Sequence, residues 1–140
     1  MNEQPEFPAE ARRWVEKTEH DLRTAECVLE IIDDCPTDTV CFHCQQCAEK
    51  YLKALLIATR VDFPRTHDLV LLRNISAKNT NLTLRPEDVQ PLNRYSVEAR
   101  YPRDWDPIDR DEATKAVTMA THVRDTIRAL LPREARSKEE

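Results

Sequence analysis

The chain has no glycine among its 140 residues, although it has nine prolines. Glycine is the default residue for tight hairpins, left-handed helix caps and loops that cradle phosphates. Its absence argues against a β-rich fold, a P-loop and a Rossmann turn together, and leaves proline to punctuate the chain. Long apolar runs are missing too. No segment approaches the length of a membrane span, and the N-terminus MNEQPEFPAEARRW lacks the apolar stretch of a signal peptide. A cytoplasmic location is therefore expected. There the five cysteines should be reduced, and their odd number fits poorly with a complete internal disulfide framework. A net charge of −5 and a pI near 5.4 provide no global basic field for nucleic acid, while a local basic patch stays open.

What is present is helical periodicity in a chain long enough for one domain. From about Ala9 to Asp33, Ala11, Trp14, Val15, Thr18, Leu22, Ala25, Leu29 and Ile32 recur at three- and four-residue spacing. Pro36, with Thr37 or Asp38 as a cap, opens a second helix that continues to about Arg60. Thr66 caps a third, His67 to Ala77, which puts His67 in its first turn. SAKNTNLTLRP reads as a loop, LNRYSVEAR as helical and YPRDWDP as a proline-bracketed connector. Asp109 and Glu112 form a D-x-x-E capping pattern for a last helix reaching about Leu131. Its inward stripe is Ala113, Ala116, Val117, Ala120, Val123, Ile127 and Leu130. No internal repeat is present. The expected fold is all-α, an antiparallel up-and-down bundle of four or five helices over 9–131, with a tail at 1–8 and a charged tail at 132–140.

CFHCQQCAEKYLKALL, Cys41 to Leu56, places three cysteines and a histidine within seven residues. On a wheel of roughly 100° per residue, Cys41, Cys44, Cys47, Ala48, Tyr51, Leu52, Leu55 and Ala58 share one apolar arc. His43, Gln46, Glu49, Lys50, Lys53 and Arg60 form a polar stripe on the other side. Structural zinc usually takes four ligands in paired clusters, and no second cluster exists here. The cysteines are expected to pack as small hydrophobes, with no metal and no cofactor.

The order of W14VEKTEHDLRTA25, F42HCQQCAEKYLKALL56, F63PRTHDL69 and R94YSVEARYP102 before an alanine-rich last helix closely resembles the HEPN domain (higher eukaryotes and prokaryotes nucleotide-binding). The resemblance covers about Ala9 to Leu131. It implies a helical bundle that dimerises and binds nucleotide or RNA, often paired with a minimal nucleotidyltransferase as in toxin–antitoxin systems. Members commonly have alanine or serine where this chain has Cys41, Cys44 and Cys47, in keeping with a packing role. Several branches are metal-independent ribonucleases with an R-x4–6-H motif. In those branches histidine supplies an acid or base near neutrality, and arginine a forked cation for charge developing on phosphate. Arg60 to His67 and Arg13 to His20 satisfy the bare spacing, but Val61 and Trp14 follow those arginines where nuclease branches tend to carry a polar residue.

Three functional readings follow. The chain is a nucleotide- or RNA-binding partner of a nucleotidyltransferase, a metal-independent endoribonuclease, or a non-catalytic dimerisation module. For catalysis the candidates are His67 with Arg60 or Arg100. THDL, at a helix start, offers backbone N–H groups to an anion beside Arg65, although His67 and Asp68 could equally organise that N-terminus themselves. Arg94, Arg100 and Arg103, interleaved with Tyr95, Tyr101 and Trp105, form the densest cation–aromatic segment. Its alternative role is to close the bundle end under arginine stems. Lys50 and Lys53 would extend a positive groove.

Overall fold

The structure is a computed structural model that describes residues 6–96 and 106–136. It is all-α, with no strand among the described residues. The long helices are α1 (Glu6–Leu29), α2 (Thr37–Ala58), α3 (Leu69–Asn79) and α4 (Arg110–Arg128). Short 3-10 turns cover Pro86–Asp88, Gln90–Tyr95 and Arg133–Ala135. Side-chain pairs give the topology. Arg60 meets Phe7, Lys53 meets Trp14 and His43 meets Asp21, so α2 runs antiparallel to α1. Arg124 meets Glu19 and Arg110 meets Leu29, so α4 also opposes α1. α3 packs on α2, and the four helices form an antiparallel bundle.

α2 is the axis of the core. Cys41, Cys44, Cys47, Ala48, Tyr51, Leu52 and Leu55 are fully buried as the wheel places them, and so are Ala54 and Leu56 outside that arc. Even Gln45 and Glu49, off that apolar arc, are buried, which marks α2 as the central helix of the domain. Burying one such leucine is worth about 1.5–3 kcal/mol. The small cysteines leave room for α1 to approach closely enough that Thr18 Oγ1 donates to the Cys47 carbonyl at 2.7 Å. From α4, Ala113, Ala116, Ala120, Val123 and Ile127 face the same core.

Several boundaries differ from expectation. α1 stops at Leu29, and Ile32, expected on its inward stripe, is 86% exposed in the following turn. Neither expected cap serves α2: Thr37 Oγ1 donates instead to the Ile108 carbonyl at 2.6 Å, tying α2 to the start of α4. α2 ends at Ala58, where Arg60 N–H bonds Ile57 O and Val61 N–H bonds Leu56 O, with Arg60 at φ 62°. This is a Schellman stop, a position that favours glycine, filled by arginine because the chain has none. The cap of α3 is Asp68 rather than Thr66, so His67 precedes the helix. The Gln90–Tyr95 stretch is 3-10 rather than α, and the rest of the LNRYSVEAR expectation lies outside the described residues. Asp109 caps α4 as expected, accepting from Glu112 N–H at 2.8 Å, and α4 ends at Arg128 with Leu131 buried beyond it. Within 132–140, Ala135 is fully buried.

Candidate functional site

Where THDL enters α3, the first-turn N–H groups already have acceptors. Asp68 Oδ1 accepts from Val70 at 3.0 Å and Leu71 at 3.4 Å, and Asn93 Oδ1 accepts from Leu69 at 2.8 Å. Asn93 Nδ2 in turn donates to Asp68 at 3.1 Å. An anion at this N-terminus would have to displace a resident carboxylate, so the N-terminus is self-capped.

His67 sits instead on α2. Its Nδ1 lies 3.0 and 3.1 Å from the two carboxylate oxygens of Glu49. The same carboxylate accepts from Lys53 Nζ at 2.9 Å and from Gln45 Nε2 at 2.9 Å, and Gln46 Nε2 donates to Gln45 Oε1 at 2.8 Å. Glu49, read in sequence as part of a polar stripe, is only 5% exposed. Burial pushes its carboxyl pKa up, but the hydrogen bonds from Lys53, Gln45 and His67 together outweigh burial and hold it below its ordinary value. A second carboxylate repeats the pattern along α2: Asp21 of α1 accepts from His43 Nδ1 at 2.8 Å and from Lys50 Nζ at 2.7 Å. Lys50 and Lys53, expected to line a positive groove, are each bound to an acid. A third network joins Glu19 to Tyr51 and to Arg124, the latter at 2.6 Å, with Arg128 Nη1 donating to the Tyr51 hydroxyl at 3.3 Å. Burial and then the Glu19 hydrogen bond push the Tyr51 pKa up.

The other candidates are dispersed. The Arg60 guanidinium lies 4.5 Å over the Phe7 ring, and Arg65 is exposed. Arg94 donates to Glu112 Oε2 at 3.0 Å and covers the Tyr95 ring at 5.4 Å. Tyr95 is 4% exposed, with its hydroxyl bonded to the same Glu112 oxygen, so its ring is packing surface rather than a stacking platform. Arg100, Tyr101 and Arg103 lie outside the described residues. Sequence reasoning missed Asp21, His43, Gln45 and Glu49 as organisers. Only their polarity on an otherwise buried helix and its neighbour could have marked them.

Cys41, Cys44 and Cys47 are fully buried; burial raises the Cys44 pKa and pushes that of Cys47 up to about 12. Among the described residues, no three of histidine, cysteine, aspartate and glutamate converge to hold a metal ion. Nor is any described helix long and apolar enough to cross a membrane. Beside Glu112, a cleft of about 410 Å³ opens between the Gln90–Tyr95 turn and the first half of α4.

Comparison with known proteins agrees with this architecture. The crystal structure of TT1696 from Thermus thermophilus superposes with a TM-score of 0.69 at 27% identity, over 86% of this chain and 98% of that one. A protein of Methanocaldococcus jannaschii named "Putative toxin MJ1304" is 29% identical over 137 residues, covering 86% of this chain and 88% of its own. The family model of the HEPN domain matches residues 11–130, nearly the whole bundle. The chain belongs to the HEPN domain family.

Proposed function

We propose that this HEPN protein binds RNA or a nucleotide in the cytoplasm, as a homodimer, and works as the toxin-like half of a pair with a minimal nucleotidyltransferase. The observation that carries the reading is the family match over residues 11–130, joined to a relative whose name includes the word toxin. The surface chemistry is compatible with it. His67 and Lys53 share one buried carboxylate, and the Arg94 side chain is 51% exposed beside a cleft. Imidazole and guanidinium groups at a surface are suited to phosphate. Co-expression with a minimal nucleotidyltransferase of the same genome tests the partnership: the two chains should co-purify in a fixed ratio, and separate elution through gel filtration would reject the pair.

One feature favours the endoribonuclease reading as the second. An imidazole anchored through Nδ1 on Glu49 is oriented for proton transfer, which cleavage by a ribose 2′-hydroxyl requires. Arg100 or Arg60 would then supply the cation. RNA cleavage in EDTA that disappears in His67→Ala supports this; cleavage unchanged in both His67→Ala and Arg100→Ala rejects it. Absence of both binding and cleavage would favour a dimerisation module.

A further inference from the structure

The cleft between the Gln90–Tyr95 turn and α4 has the features of a small-molecule site. Its volume, about 410 Å³, lies within the range of ligand pockets, about 300–1,000 Å³. The floor is apolar: Leu92 is fully buried, Ala116 is 2% exposed, and Pro91 and Met119 complete the lining. A methionine thioether adapts its shape and packs well against aromatic faces. The rim carries two cations and one acid, Arg94, Lys115 and Glu112, a local reversal of sign in a chain of net charge −5.

The hydrogen bonds at the rim narrow the ligand. Arg94 and the Tyr95 hydroxyl both donate to Glu112 Oε2, so among the described residues Oε1 keeps its acceptor capacity unused. Lys115, exposed one helical turn after Glu112, forms no ion pair among the described residues. Residues three apart on a helix have Cβ atoms roughly 5–6 Å apart, so a carboxylate acceptor and an ammonium flank one apolar floor. A flat ring on that floor would present an N–H donor to Glu112 and an anion to Lys115. We propose that this cleft binds a nucleoside monophosphate whose base carries an exocyclic amine, either free or as a terminal nucleotide of RNA. This assignment rests on the nucleotide-binding reading and gives it a place and a ligand class.

The test uses the full chain, which has only two methionines, Met1 and Met119, so a methyl-labelled sample gives at most two signals. Titration with AMP should shift the Met119 methyl resonance. Lys115→Glu, at an exposed position, should keep the fold by circular dichroism and weaken AMP binding by about tenfold or more, the scale of one charge-assisted contact. IMP, which has a carbonyl in place of the amine, should bind at least several-fold more weakly than AMP. A short oligoadenylate run in parallel separates the two sources: tighter binding than AMP at the same methyl identifies a terminal nucleotide, and equal or weaker binding identifies the free monophosphate. Oligoadenylate binding without a Met119 shift, or AMP binding indifferent to Lys115→Glu, overturns the cleft while leaving the nucleotide reading in place. Equal affinity for AMP and IMP overturns the role of Glu112. If neither AMP nor RNA binds at low salt, both readings fall.

Discussion

Replacing Glu49 with glutamine probes the cluster that joins α2 to His67. The carboxylate is 5% exposed and accepts from Gln45, Lys53 and His67. Glutamine keeps the volume but puts an amide donor against existing donors and leaves Lys53, with a side chain 12% exposed, without its counter-ion. A hydrogen bond to a charged group contributes about 1.5–3 kcal/mol, and lysine recovers part of its loss by extending its head to water. The expected net loss is about 2–3 kcal/mol, or about 7–10 °C in Tm for a chain of this size. The pH dependence follows from the depressed carboxyl pKa. Such a group contributes fully above its unfolded pKa, about 4.3, and the contribution is lost as pH falls through the lower folded value. A His67→Gln background removes the imidazole from the cluster, so that Glu49 is read alone. In that background, urea denaturation with and without Glu49→Gln should give a constant gap from pH 7 to about pH 5, closing at more acidic pH. A gap below about 0.5 kcal/mol at pH 7, within the scatter of ordinary surface substitutions, or one that widens on acidification, would refute the reasoning.

Three other outcomes are expected. Iodoacetamide at neutral pH should alkylate exposed Cys27 in the native protein, while Cys41, Cys44 and Cys47 react only as the chain unfolds; mass spectrometry of the peptides reads this directly. Tyr51→Phe, which deletes a hydroxyl shared by Glu19 and Arg128, should cost about 1–2 kcal/mol by urea titration. Asp34, at φ 54°, occupies a left-handed conformation that glycine adopts without strain, so Asp34→Gly should gain about 0.5–1 kcal/mol in the same assay.

The bundle was legible because α2 and α4 bury most of the residues their periodicity selects, with Ala58, Val117 and Leu130 only partly covered, and local spacing is what periodicity reads. Helix ends were less legible. Asp68 displaced Thr66 as the α3 cap because Asn93, 25 residues away, shares the same turn through its own hydrogen bonds. The Glu49 and Asp21 clusters were illegible for a related reason. A charged residue on a helix wheel looks solvated until a neighbouring helix covers it, and that covering depends on α1 and the segment before α3. Tyr95 was half legible: of the two roles its segment offered, stacking on bases or closing the bundle under an arginine stem, Tyr95 takes the second, with Arg94 over its ring and Glu112, 17 residues later, holding its hydroxyl.

The most direct test of the central claim is binding of a fluorescent single-stranded RNA, followed by anisotropy at low and high salt. Binding is expected at low salt, weakening steeply as salt rises and weakened further by Arg94→Glu, since phosphate contacts dominate such affinity. No binding at the lowest salt, with the protein folded, would contradict it.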